Sequence, residues 1–574
     1  MPQSAAWAAI KSFVSWLVSA KTVGAFVARL VVMSAISYGL GKLMARRPNS
    51  GLTGSNPLDL RIDSMAPHRI IYGETAVGPV LRFRHATGTD NQYAYLILIW
   101  AAHECEAITA FKADGQTITF DGSGNAIGTY AGVLRVTHHL GAHDQTADAN
   151  FVSELGSLWT TNHRLRGRCY SAVRLTWDPN KWPSGIPHFT AVVKGRKVYD
   201  WRDEDQDIND YTTWKWSDNP ALCTADFLRG VPMLNGAGEL VRPYGIACED
   251  AALPAAKWIA EANACDESVE LADGGTEKRY TCNGCFDVDT SPPLVLDALA
   301  ASMAGKVVPM GAEFIPFAGV WHAPDFTVDE TMLRGEPTAT NPLPRTERIN
   351  TVKGTYNDPT ANYQKNDFPQ VVSDAFIEED GGELARDLDL AFTNSPTMAQ
   401  RIAKIGLLRS RQGLVTGWPC NLRAVPAMTG ENVAIDSGEF GWDGKVFEVT
   451  EFTLAIQRGD DGGLGFAPDI VFQETDPSIF DWDTDEENTT DPAPNTGGAD
   501  PRDVPVPADV ALTNAATIQP DGTVVPRVRV AWTLPADAWV RFGGYAHLEY
   551  RKSGDTDWLV WARLRGDAAL DYIT

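Results

Sequence analysis

The chain runs to 574 residues, 44% of them hydrophobic and 21% charged, more than a single hydrophobic core organises, so several domains are expected, roughly three to five. A formal net charge of -25 excludes proteins that coat nucleic acid, which depend on fields of Lys and Arg over the phosphates, and no specific nucleic-acid binding is expected. Eight cysteines in so long a chain exclude a disulfide scaffold, while 50 Gly, 35 Pro and 18 Trp favour many turns and short strands in a mainly β protein.

Residues 1–60 open with an apolar stretch, 5–44, rich in Ala, Val and Ser and interrupted by Lys11, Lys21, Arg29 and Lys42 before Arg46-Arg47-Pro48 stops it. This predicts one or two helices. Positions 23–40 are long enough to suggest a membrane crossing, but Arg29 lies inside them and the Gly, Ser and Ala content keeps them only moderately hydrophobic. A protein-buried helix is therefore favoured over a membrane-active segment, and both over a cleaved signal. Trp7, Phe13, Trp16, Phe26 and Leu30 need an apolar environment.

After the Gly, Ser, Asn and Pro residues of 51–57, region 61–205 reads as mainly β, with strand patterns at 93–100, 116–120, 171–177 and 190–199. Region 206–340 is mixed α/β: helical periodicity returns at 251–264 and again at 294–303 behind Pro292-Pro293. In region 341–470 a strand at 348–356 is followed by a helix over 397–411 and a strand at 445–454. Asp, Glu, Asn, Thr, Pro and Gly dominate 471–504, the composition of a flexible linker. Residues 505–574 carry strand patterns at 527–532, 546–551 and 557–561, successive strands of a β-sandwich; Thr574 comes too early to finish seven strands, so a longer natural chain is expected.

No motif calls for an enzyme. There is no G-x-x-x-x-G-K-S/T, H-E-x-x-H or G-x-S-x-G pattern, and neither catalytic residues nor cofactors are expected. Cys282-Asn-Gly-Cys285 is a lone C-x-x-C, a weak metal candidate that needs Cys248 and Cys265 to complete four ligands; free thiols or one disulfide are the plainer reading. His138 and His139 are adjacent and would face opposite sides of a strand, which argues against one shared ion even with His143 nearby. His103-Glu104-Cys105 places a base beside a thiol, but neighbours in sequence rarely supply catalytic geometry. Asp287, Asp289 and Asp297, or the run from Asp481 to Glu487, suggest calcium sites or glycosidase carboxylates, but the run lacks the ordered Gly and closing Glu of a calcium loop, and a solvated acidic linker is the better account.

Three dispersed stretches carry a resemblance: Ile71-Tyr-Gly-Glu-Thr-Ala-Val-Gly-Pro79, Trp216-Ser-Asp-Asn-Pro-Ala-Leu222 and Gly274-Gly-Thr-Glu-Lys-Arg-Tyr-Thr-Cys-Asn283, the last preceded by Ala264-Cys-Asp-Glu267. Together they resemble the tip attachment protein J family of siphophage tails, also called host specificity proteins. The likeness extends over residues 61–574, with Cys285 standing where that family has an aliphatic residue. It implies a multidomain, mainly β chain with α+β parts: a helical N-terminal segment (1–60), two hub-type β-barrel domains (61–205 and 341–470), a mixed α/β connecting domain (206–340), an acidic linker (471–504) and a partial fibronectin type III-like β-sandwich (505–574). It further implies a homotrimeric hub at the tip of a bacteriophage virion, assembled in the host cytoplasm. Such a hub seats on the distal tail protein ring, meets the tape measure protein and other tail-tip proteins, reaches a host cell-surface receptor through downstream modules, and takes part in DNA ejection. On that reading Trp7, Phe13, Trp16, Phe26 and Leu30 face the tube lumen or, on release, the host membrane. A tail-associated cell-wall hydrolase and a secreted adhesin-like binding protein are the competing readings.

Overall fold

The computed structural model describes residues 56–488, apart from breaks at 64, 180, 183–184, 235–239, 341–347 and 459–463, together with Leu52, 508–533, 545–565 without 556, and 571–573. The N-terminal segment with Trp7, Phe13, Trp16, Phe26 and Leu30 lies outside the described residues. The chain divides into a large unit, 1–490, and a small one, 491–574.

The large unit begins with two sheets. Val80–Thr87, Tyr93–Ala101, Cys169–Thr176 and Leu134–His139 lie side by side in one; Lys215–Trp216, Phe189–Val198, Cys105–Ala113 and Gln116–Thr117 form the other, with Glu74–Val77 also on Phe189–Val198. The run Tyr93–Ala101 is almost wholly apolar because each of its faces meets a different core. Leu96, Leu98 and Trp100 join Phe111, Phe189 and Val193 between the sheets. Tyr95 and Ile97 turn the other way, onto Phe151 and Leu155 of helix α1 (Ala149–Leu155). Asp148 caps that helix by accepting from the Phe151 amide.

The largest core gathers helices from the middle of the chain: α2 (Pro220–Arg229), α3 (Ala255–Asp266) and α4 (Pro292–Ala301). All ten residues of α2 are buried, the charged Asp226 and Arg229 included, each of which is ion-paired. After the short α5 (Asp374–Asp380), α6 (Pro396–Ser410) packs into the same core alongside Thr351–Asp358, whose parallel partner is Ala385–Leu390. Ser395 caps α6 through the Met398 amide, with Pro396 in its first turn.

A six-stranded sheet follows, ordered Phe326–Asp329, Asn432–Ser437, Trp442–Arg458, Leu464–Glu474, Val415–Pro419, Thr338–Thr340. Two of its strands come from the chain before residue 341. Its own core contains Trp418, Val433, Ile435, Phe447, Val449, Ile470 and Phe472.

The acidic stretch that composition reads as linker from residue 471 is, as far as 488, part of the folded unit. Strand Leu464–Glu474 runs into it, Ile479 and Phe480 are buried in the largest core, and Lys404 of α6 holds Glu486 at 2.6 Å. Two aromatic or aliphatic side chains are enough to dock a segment whose average composition is polar.

In the small unit Ala508–Ile518, Val524–Thr533 and Asp571–Ile573 form one sheet, and Tyr545–Tyr550 pairs with Leu559–Arg565. The first hairpin turns at Gly522, and Val530 and Trp532 are buried. Among the described residues the chain is thus a multidomain, mainly β protein with α+β parts.

Candidate functional site

The three stretches that carry the family resemblance, far apart in sequence, meet at one joint. Gly73 links Arg69–Tyr72 to Glu74–Val77 with φ +61°, and a Cβ there would lie 1.9 Å from the Cys282 carbonyl oxygen, so only glycine fits. The Glu74 amide donates to Asn283 Oδ1 at 2.8 Å, and Trp216 Nε1 donates to the Gly73 carbonyl at 3.2 Å. The Cys282 amide donates to the Asp218 carbonyl at 2.6 Å, and Lys278 reaches Asp218 at 2.8 Å. Asn219 caps α2 through the Ala221 and Leu222 amides and donates to the Ala262 carbonyl of α3. Asn283 Nδ2 continues to Asn394 Oδ1 at 3.0 Å, next to the Ser395 cap of α6. First sheets, middle helices and α6 are therefore joined through a few polar side chains.

Beneath the joint lies a buried ionic group. Asp226 of α2, with no exposed surface, accepts from Tyr72 Oη at 2.7 Å and from Arg196 Nε at 2.7 Å and Nη2 at 3.2 Å. Burial opposes the Arg196 charge, but Asp226 outweighs it and holds the guanidinium above its ordinary pKa. Burial, then the Asp226 charge, push the Tyr72 hydroxyl well up, so it serves as a donor and not as an acid. The arrangement fixes strands against a helix.

The weak metal candidates are dispersed. Cys282 is buried in the largest core and Cys285, three residues on, in the core between the first two sheets, because the strand Gly284–Asp287 begins between them and divides their surroundings. Cys265 is buried in α3, and Cys248 is half-buried beyond α2. Cys282 instead neighbours Cys223, whose thiol is pushed well up by burial and by its hydrogen bond to Cys282. Burial raises Cys248 to about 11 and also raises Cys265 and Cys285, away from the thiolate that metal binding or nucleophilic attack needs. Among the described residues all eight cysteines are free thiols, and no three His, Cys, Asp or Glu side chains are grouped as metal ligands.

The histidines have structural partners. His138 shares Ser171 Oγ at 2.8 Å, while His139, facing the other way, donates to Asp148 at 3.0 Å and stacks on Tyr170. His103 Nε2 accepts from the Ile71 amide at 3.0 Å, which leaves Nδ1 to donate to the Glu104 carbonyl at 2.7 Å. Both ring nitrogens of the His-Glu-Cys triplet are thereby occupied by backbone. Asp287 is buried against Arg61 at 2.8 Å. Sequence reasoning did not single out Arg196 and Asp226. The available signal was an Asp inside an apolar helical run, Ala225-Asp226-Phe227-Leu228, which requires a buried partner.

No family model matches this chain and no curated protein is similar to it. Solved structures are. A chain of the "Virion of native gene transfer agent (GTA) particle" aligns over 80% of this chain and 95% of its own length, with TM-score 0.51 and 14% identity. The 43 kDa tail protein of prophage MuSo2 from Shewanella oneidensis aligns over 72% and 100%, with TM-score 0.27 and 10% identity. Prophage tail protein gp18 from Listeria monocytogenes EGD-e aligns over 71% and 94%, with TM-score 0.21 and 9% identity. The last two overlaps are too loose to argue from. The first, at so low an identity, establishes a likeness of fold: this chain shares its multidomain, mainly β architecture with a component of a virion.

Proposed function

We propose that the protein is a structural component of a bacteriophage tail, and specifically the hub that closes the distal end of a non-contractile tail tube. The observation that carries this reading is the fold likeness to a virion component, which spans 80% of this chain and 95% of the other. The joint supports it, because the residues that carry the family resemblance are spent on tying strands and helices together, as a part that bears load requires. The same observations support a structural role over an enzymatic one.

In this reading the chain works as a homotrimer. Three copies with two β regions each, 61–205 and 341–470, present six similar units to a sixfold tube while the tip beyond becomes threefold. Region 206–340 connects the two. The N-terminal segment packs in the lumen near the tape measure protein or enters the host membrane on ejection, and 505–574 begins the modules that lead toward a host receptor.

Immunogold labelling of intact particles with an antibody to this chain tests the proposal. Label at the free end of the tail is the expected result; label on the capsid, or none on particles, overturns it. A zymogram on purified protein is expected to show no clearing of peptidoglycan, and clearing would overturn the purely structural reading.

A further inference from the structure

The C-x-x-C spacing suggests that Cys282 and Cys285 belong together, yet the fold sends them into different cores. Cys282 faces Cys223 of α2 instead, and neither side chain has exposed surface. One short segment holds both. Ser217 and Asp218 lead into the Asn219 cap of α2; Cys223 Sγ donates to the Ser217 carbonyl at 3.7 Å, and the Cys282 amide donates to the Asp218 carbonyl at 2.6 Å. The two thiols share a hydrogen bond across the gap. A thiol is a weak donor, so this contact adds little to the joint as it stands. Two sulfurs already in contact, each carried on backbone that is hydrogen-bonded in place, need only a small side-chain rotation to bond.

We infer that Cys223 and Cys282 are a disulfide-forming pair, closed by an oxidant of the disulfide class such as oxidised glutathione, which bolts α2 to the segment carrying Asn283. One thiolate attacks the glutathione disulfide and releases one glutathione; the second thiolate attacks the mixed disulfide and releases the other. The two cysteines lose two protons and two electrons, one S–S bond forms, and the S–S bond of oxidised glutathione is reduced to two thiols. Burial and then the contact with Cys282 push the Cys223 thiol well up, so attack waits for local opening of the joint. The pairing rests on contacts and burial alone. Its use, holding the joint closed once a particle has left a reducing cytoplasm, rests on the tail reading.

Peptide mapping of the oxidised full chain tests the inference. Trypsin cuts after Lys215, Arg229, Arg279 and Lys306, which places Cys223 in peptide 216–229 and both Cys282 and Cys285 in peptide 280–306. The chain is incubated with oxidised glutathione in roughly 2 M urea, which makes opening more frequent, then alkylated, digested and analysed by mass spectrometry without reduction. The expected product is 216–229 linked to 280–306, lost on reduction, retained in C285S and absent in C282S. The linked chain should need more urea to unfold than the reduced one, because the bond constrains the unfolded chain. Cys223 recovered as an alkylated thiol or as a mixed disulfide with glutathione overturns the inference. So does a bond between Cys282 and Cys285, or a link that C285S abolishes while its near-ultraviolet circular dichroism matches the parent. None of these outcomes depends on where in a particle the protein sits.

Discussion

The joint around Gly73 and the core of the six-stranded sheet solve different problems. The sheet's core is almost purely apolar, and its buried Trp418 satisfies its indole donor within the sheet, on Thr416 Oγ1 at 2.9 Å. The joint instead buries Asp226, Arg196, Tyr72 and Asn283, and its bonds connect residues 154 and 209 positions apart. Apolar packing accepts many arrangements of similar volume, whereas a paired charge accepts one partner in one geometry. The contrast indicates that stability is supplied by the sheets and the relative placement of distant segments by the joint.

The largest effect is expected from Asp226→Ala. It leaves Arg196 charged and buried without its carboxylate, a loss of about 3–5 kcal/mol, read by urea denaturation. A loss under about 1 kcal/mol would show that water reaches the site and that the joint is not dry. Phe472→Ala removes a fully buried ring from the sheet core and should cost about 3–4 kcal/mol. That cost should be the same at pH 5 and pH 8, since no titrating group is involved. A clear pH dependence would blur the distinction between the two regions.

Acidification separates them further. His103 sits against the joint strand Arg69–Tyr72 and is held at about 3 by burial and by Arg196. An unfolded histidine titrates near 6.5, so between pH 6.5 and about 3 the unfolded chain binds a proton that the folded chain refuses. The stability contributed by the neutral ring is complete above pH 6.5 and falls as pH drops through that window, the loss reaching roughly 4–5 kcal/mol at the acid end. Denaturation midpoints measured from pH 7 to pH 4 should fall less steeply in His103→Gln than in the parent. Parallel curves would place the acid sensitivity elsewhere.

How much of this was readable follows from where each signal lay. Helices 292–301 and 396–410 were legible because Pro and Ser residues announce their starts. Helix α2 was not: in Pro220-Ala-Leu-Cys-Thr-Ala-Asp-Phe-Leu-Arg229 even Thr224, Asp226 and Arg229 are buried, so no solvent-facing polar side marks its period. The strand read at 116–120 survives as Gln116–Thr117 and an isolated bridge at Phe120. Its partner is the adjacent strand across the Asp114-Gly115 turn, with Lys112 opposite Thr117 and Ala113 opposite Gln116, but the pairing ends after two residues. The joint was half legible. Its backbone motifs lay in the stretches whose resemblance was read from the sequence, whereas the pairing of Asp226 with Arg196 depends on a fold that periodicity alone does not specify.

The smallest effect concerns the stretch 475–488, where composition and structure diverge most. Lys404 binds Glu486 at 2.6 Å and the Asp481 carbonyl at 2.8 Å, which makes the segment look ionically clipped. The Glu486 side chain is 40% exposed, however, and water screens such a pair to about 0.5–1 kcal/mol or less. Ile479 and Phe480 are buried in the largest core and their transfer from water is worth several times more. Lys404→Ala should therefore lower stability by under about 1 kcal/mol, and by still less in 0.5 M salt, with the segment remaining protected from limited proteolysis. Phe480→Ala should release it to proteolysis at either salt concentration. If the two substitutions exchanged these outcomes, charge and not apolar burial would be what turns a linker-like sequence into part of the folded unit.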